Sequence, residues 1–112
     1  MFYTYRQNNS GGSFDINDEV SLYVIIEADS ATEANDIAEI KGLYFDGCEE
    51  GFDCECCGDR WDSQYDDTDG TETPMIYNEA ASEYKDTWAG DKPYCFVYYK
   101  NGTKLSLSVG AN

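Results

Sequence analysis

Apolar and polar positions alternate along Met1–Arg6, MFYTYR, and the aromatic residues among them mark a strand. QNNSGGS follows and reads as a turn, because its residues tolerate positive φ. Ser13–Ile16 then predicts a short return strand, and so an N-terminal hairpin. Ser21–Ala28, SLYVIIEA, is β-branched and nearly continuously apolar in its middle, which predicts a central strand.

The period then changes from two to about 3.6 residues. In DSATEANDIAEIKG, Asp29 or Ser30 can serve as N-cap, and Glu33 lies three residues beyond Ser30, the spacing of a capping box. Ala34, Ile37, Ala38 and Lys41 fall on one face, and Gly42 can supply a left-handed C-terminal residue. The spacing predicts a helix over 30–41. Leu43–Phe45 is a short apolar anchor, and an irregular segment follows from Asp46 to Thr73. Thr73–Tyr77 predicts a strand with Pro74 near its start, and Asn78–Trp88 a second helix with Asn78 as N-cap. The C-terminal run PYCFVYYKNGTKLSLSV predicts a hairpin, with Asn101-Gly102 as a type I′ turn pair. In its first strand Tyr94, Phe96, Tyr98 and Tyr99 offer either an exposed aromatic face or a half-buried one. The fold class is α+β in one domain, residues 1–112. It has an antiparallel sheet of four or five strands, one or two helices, and a long acidic Cys-containing loop at one end.

Charge changes this picture. The chain of 112 residues carries 23 acids and 7 bases, a formal net charge of −16, with 15% aromatic residues. The aromatic content opposes wholesale disorder. Residues 1–14 hold one Arg and no acid, and residues 92–112 hold three Lys and no acid. The terminal strands are therefore expected to form much of the sheet, with the acids on helices and on the Cys segment. Between Asp46 and Thr73 there are eleven acids and one base, Arg60. Such a polyanion repels phosphate backbones, so it is not expected to bind nucleic acid directly. It is attracted to basic surfaces, including those that hold nucleic acid; the plainer reading is that the acids aid solubility. No signal peptide and no apolar run long enough to cross a membrane is present, which predicts a soluble cytoplasmic protein.

Five cysteines without a secretory signal point to reduced thiols or metal ligands. Cys54-Glu55-Cys56-Cys57-Gly58 contains Cys-x-x-Cys-Gly, the shape of half a zinc knuckle. There is no histidine and no second Cys-x-x-Cys. A tetrahedral site would need Cys48, Cys54 and Cys57, completed by Cys56 or by Cys95, with zinc as the candidate ion. The other reading is a tight turn with inert thiols, pinned by Phe52 and Trp61. Redox chemistry fits poorly, because Glu49, Glu50, Asp53, Glu55 and Asp59 surround the thiols and oppose thiolate formation.

Other chemistry is excluded more firmly. Asp66-Asp67-Thr68-Asp69-Gly70 resembles a calcium loop, but with Gly70 sixth, Tyr65 falls first and Ile76 twelfth, where acids are required. Without histidine there is no imidazole base and no Ser-His or Cys-His pair. No glycine-rich phosphate loop occurs.

At MFYTYRQNNSGGSF, YVIIEADSATEANDIAE, GLYFDG and DCECCGDRW the chain resembles a family of short acidic proteins encoded by bacteriophages. The similarity covers about the first two-thirds of the chain. It implies a viral protein acting in the host bacterial cytoplasm and brings no catalytic residues with it. With the charge, it leads to an expected function: a non-enzymatic phage accessory protein that inhibits a bacterial nucleic-acid-handling or defence protein. Asp62, Asp66, Asp67, Asp69 and Glu72 would stand in for phosphates in a basic groove of that host protein. One rival is a sponge for a signalling nucleotide, for which only Arg6, Arg60 and Lys104 are suited. Others are a small zinc-braced structural or assembly protein and a zinc-dependent hydrolase, the last opposed by the missing histidine.

Metal analysis separates the two cysteine readings. If zinc is bound, Cys54→Ser and Cys57→Ser each release it and lower the melting temperature, whereas Cys56→Ser does less. Folded, metal-free protein whose melting ignores a chelator identifies a thiol-rich turn instead.

Overall fold

A computed structural model of the chain describes residues 1–8, 14–51, 53 and 58–109. The elements are β1 (Phe2–Arg6), β2 (Tyr23–Glu27), α1 (Ala31–Ile40), β3 (Met75–Ile76), β4 (Glu79–Ala80), α2 (Ala81–Tyr84), a 3₁₀ turn (Thr87–Ala89), β5 (Cys95–Tyr98) and β6 (Lys104–Leu107). The main sheet has the order β1-β2-β5-β6, and β3 and β4 form a small hairpin apart from it.

The expected wholly antiparallel sheet is corrected. β1 and β2 are antiparallel, with Tyr3 opposite Ile26, and so are β5 and β6, with Val97 opposite Leu105. β2 and β5 run parallel, with Val24 opposite Phe96 and Ile26 opposite Tyr98. Parallel neighbours need a long crossover. Here it is the whole stretch between β2 and β5, carrying α1, the acidic segment, the small hairpin and α2.

A crossover of that length covers both faces of the sheet, which explains the unbroken apolar run in β2. Val24, Ile25 and Ile26 are all at 0% exposure. Val24 and Ile26 pack with Ala31, Ala34 and Ala38 of α1 and with Leu43 and Trp61. Ile25 faces the other way, with Ile76, Ala81, Ala89 and Tyr94. β5 is divided likewise: Phe96 and Tyr98 join the first cluster, Cys95 and Val97 the second. The expected exposed or half-buried aromatic strand is thus buried on both faces.

α1 forms where the sequence places it. Ser30 caps it by accepting from the Glu33 backbone N–H at 3.1 Å, and Glu33 Oε1 accepts from the Asp29 N–H at 3.0 Å. At its other end Leu43 N–H donates to Ala38 O and Gly42 N–H to Glu39 O, a Schellman closure with Gly42 at φ 108°. The alanine stripe lets the helix lie close on the sheet.

Three local expectations are corrected. Phe14–Ile16 is not a strand, and Ser13 lies outside the described residues. The Gln7 amide takes the place of a strand partner: Nε2 donates to Asp15 O at 2.9 Å and Oε1 accepts from Asp15 N–H at 2.6 Å. The 78–88 helix is broken up. Tyr77 and Asn78 have φ of 51° and 70° and make the two-residue turn between β3 and β4, so the type I′ geometry falls there. α2 then stops at Lys85, with φ 56°, because Asp86 turns to accept from the Trp88 N–H and the Tyr23 hydroxyl. At the β5–β6 hairpin only Gly102 is left-handed, at φ 90°, and the loop closes through Tyr99 N–H to Thr103 O at 2.9 Å. Asn101 Oδ1 instead accepts from the Thr103 N–H and hydroxyl, which holds Asn101 out of the left-handed region and gives a three-residue turn.

The core assignment is testable by denaturation. Ile25→Asp abolishes cooperative folding, since it leaves an unpaired carboxylate in a closed core at a cost of about 4 kcal/mol or more. Ala38→Leu overfills the helix–sheet contact and lowers stability by about 1–3 kcal/mol. Asp36→Ala, on the solvated side of α1, changes it by less than about 0.5 kcal/mol.

Candidate functional site

Arg60 is the only base of the acidic segment, and it is turned inward at 8% exposure. Its backbone N–H donates to Asp53 Oδ2 at 2.8 Å, and its Nε lies 3.8 Å from Asp53 Oδ1. Nε also donates to the Tyr44 hydroxyl at 3.0 Å and lies 3.3 Å from Asp15 Oδ2, while Nη1 donates to Gln7 Oε1 at 3.0 Å. Tyr44 in turn donates to Asp53 Oδ1 at 2.7 Å. Burial, and then its bond to Asp53, push the Tyr44 phenol above its usual range, so it serves as a neutral donor. Among the described acids only Asp53 is buried. The network joins the end of β1, the chain after α1, Asp53 and the start of the next segment.

Gly47 is required beside it. A Cβ there would lie 1.8 Å from Asp53 Oδ2 and 2.8 Å from Tyr44 Cε2.

From this anchor the chain runs along the outer edge of β1. Trp61 plugs the core at 1% exposure. Gln64 Nε2 donates to Thr4 O at 2.8 Å, Gln64 N–H donates to Asn35 Oδ1, and Asn35 Nδ2 donates to Gln64 O. Phe2 and Thr71 exchange both backbone hydrogen bonds, at 2.7 and 2.8 Å. Gly70 permits this approach, because a Cβ there would lie 2.6 Å from Met1 Cβ and 2.9 Å from Phe2 O. Residues 61–72 are therefore an irregular strap tied to the sheet edge by uncharged residues. Asp62, Asp66, Asp67, Asp69 and Glu72 all lie on it with exposed side chains. Asp66 alone of these accepts a side-chain bond, from Thr32 at 3.3 Å.

The cysteine candidates fare differently. Cys54, Cys56 and Cys57 lie outside the described residues, and so does Phe52. Cys48 is half-buried, with its N–H on Asp59 Oδ1 at 2.9 Å. Cys95 is at 0% exposure in the apolar cluster of β5, where burial pushes its thiol up to about 12. Among the described residues no group of three or more His, Cys, Asp or Glu side chains is placed to hold a metal ion.

Sequence reasoning missed a groove beside the strap. Two cavities of about 330 and 630 Å³ share Arg6, Tyr23, Asp62 and Tyr77 in their walls. Arg6 lies over the Tyr77 ring, 5.1 Å from its centroid, and donates to the Tyr77 hydroxyl. Tyr77 also meets Tyr84 and Tyr23, at 5.6 and 6.5 Å between centroids. At the far end Trp88 stands 80% exposed on its capped 3₁₀ turn, 6.5 Å from Phe14. A Tyr-Asn pair and an isolated Trp in a polar stretch were the available signals; neither has a pattern that separates it from an ordinary turn.

The buried pair gives a stability test. Asp53→Ala leaves Arg60 without its buried counter-charge, and Gly47→Ala evicts the same carboxylate by contact. Each lowers the free energy of unfolding by about 3–5 kcal/mol. The double variant is no less stable than the worse single, a non-additivity that urea denaturation of all four proteins checks.

Among the described residues no helix is long and apolar enough to cross a membrane. No curated protein and no solved structure matches the chain significantly. A family model described as a domain of unknown function, DUF7296, matches residues 1–112, and the chain belongs to that family.

Proposed function

We propose that the protein is a non-enzymatic binding module that occupies a basic groove of a bacterial nucleic-acid-handling or defence protein and inhibits it. Its carboxylates take the places of backbone phosphates. The observation that carries this reading is the strap: Asp62, Asp66, Asp67, Asp69 and Glu72 are exposed, while the backbone beneath them is tied to β1 and α1. Carboxylates held in place by their scaffold lose little freedom when they meet a partner. The net charge of −16 speeds encounter with a basic surface at low salt and turns nucleic acid itself away. The resemblance to phage-encoded acidic proteins supports a partner in the host bacterial cytoplasm.

The sponge reading is weaker on the same geometry. It needs cations in a concave site. Arg60 is committed to the buried network, and Lys104 donates to Asp18 O and covers Phe96. Arg6 does line the groove, but Asp62 shares both its cavities.

With a partner recovered from bacterial lysate, affinity falls steeply with added salt, and nucleic acid competes for the same groove. Changing Asp62, Asp66, Asp67 and Asp69 together to Asn leaves the melting temperature near that of the parent. It weakens binding by about 1 kcal/mol or more for each desolvated contact. A tight partner that ignores salt, ignores nucleic acid and tolerates the quadruple substitution overturns the proposal.

A further inference from the structure

The groove beside the strap combines aromatic rings with carboxylates. Its two cavities adjoin through shared walls, which makes it elongated rather than a single pocket. Its rings are presented rather than stowed: Tyr77 is 56% and Trp88 80% exposed. Both are held. Tyr77 sits at φ 51° in a two-residue turn, a conformation a bulky side chain rarely adopts, against Tyr84 and Tyr23. The backbone of Trp88 is held by the Asp86 cap, and Asp86 by the Tyr23 hydroxyl at 3.1 Å.

The charges decide what such a groove accepts. Asp59, Asp62 and Asp86 line it against one guanidinium, Arg6. An anionic ligand meets that excess and the field of the whole chain, so it is repelled. A cationic ligand with a flat or apolar body meets carboxylates and ring faces together. Arg6 itself shows the fit, with its guanidinium over the Tyr77 ring. Arg6 forms no ion pair among the described residues, so its remaining N–H groups can donate to backbone carbonyls of an incoming chain.

We infer that this groove binds an extended arginine-bearing segment of a protein partner, with a guanidinium stacked at Trp88 and paired with Asp62 or Asp86. Arginine is favoured over lysine because its planar head stacks on a ring while bonding to a carboxylate edge. The inference deepens the proposed function, since it rests on a basic protein partner and adds an aromatic anchor to the acidic strap.

Octa-arginine serves as the probe. The chain has two tryptophans, and Trp61 is buried, so a change in emission on titration reports Trp88. Binding is expected to be saturable, to shift that emission, and to be about fivefold or more tighter than that of octa-lysine. Trp88→Ala leaves the net charge and the strap untouched. It is expected to weaken binding, read by anisotropy of labelled peptide, about fivefold or more, with Trp88→Phe largely restoring it. Its melting temperature matches the parent's, because the ring is exposed. Octa-lysine bound equally well, or affinity unmoved by Trp88→Ala, overturns the inference. If a variant with Asp66→Asn, Asp67→Asn and Asp69→Asn together, which keeps Asp62 in the groove wall, then loses binding, the strap reading stands without the groove. If Trp88→Ala weakens binding while that triple variant does not, the groove stands and the strap reading falls.

Discussion

The buried guanidinium of Arg60 is the constraint on which the acidic half of the molecule depends. Four stretches distant in sequence supply its partners: Gln7 after β1, Asp15, Tyr44 after α1, and Asp53. The Asn8 N–H also donates to its carbonyl at 2.8 Å. A buried ion pair of this kind contributes little net stability against an apolar replacement, since both charges lose water. Its effect is on specificity. The observed arrangement brings these stretches to the guanidinium together, and it sets where the strap begins.

The strap carries the opposite problem. Neighbouring exposed carboxylates repel one another and favour an extended, mobile chain. What opposes this is not counter-charge, since no described base forms an ion pair with Asp62, Asp66, Asp67, Asp69 or Glu72. It is the set of uncharged residues interleaved with them: Trp61 in the core, Gln64 on Asn35 and Thr4, Gly70 and Thr71 on Phe2. The division of labour is position by position. Trp61, Gln64 and Gly70 are buried or half-buried and hold the backbone, while the charged residues are all exposed.

What the chain reveals by sequence is what short-range physics decides. The Ser30–Glu33 cap, the Ala34/Ala38 stripe, Gly42 and the Val24–Ile26 run each act within a few residues, and each appears where the pattern puts it. The parallel pairing of β2 with β5 was not legible, because it depends on how a crossover of more than sixty residues is routed. The turns were misassigned for a related reason. Asn101-Gly102 has the better intrinsic preference for a type I′ turn, yet that geometry occurs at Tyr77-Asn78, where ring contacts with Tyr84, Tyr23 and Arg6 hold it. At Asn101 the side chain closes its own turn first. The acids of the strap were legible as composition, but their common placement on one tethered segment needed the contacts of Asn35, Thr4 and Phe2.

The two edges of the sheet show how charge and pairing divide the same task. An uncovered edge strand invites pairing with another copy. The β1 edge is covered by the strap through the Phe2–Thr71 bridge. The β6 edge has no further strand beside it among the described residues, and Lys104–Ser106 are exposed. Acids are absent from residues 92–112, so β6 carries no carboxylate of its own. Lys104 does part of that work, since a cation on an edge strand disfavours a second copy. The field of a chain at −16 does the rest, because two copies repel before their edges meet. On this view the acids restrain association between copies wherever they stand, so solubility accounts for their number but not for their fixing along the β1 edge. Fixing a row of carboxylates restricts the chain at a cost in conformational entropy. Covering the β1 edge already accounts for the tethering of the strap, so what separates a recognition surface from a solubilising one is whether a partner's affinity depends on these carboxylates.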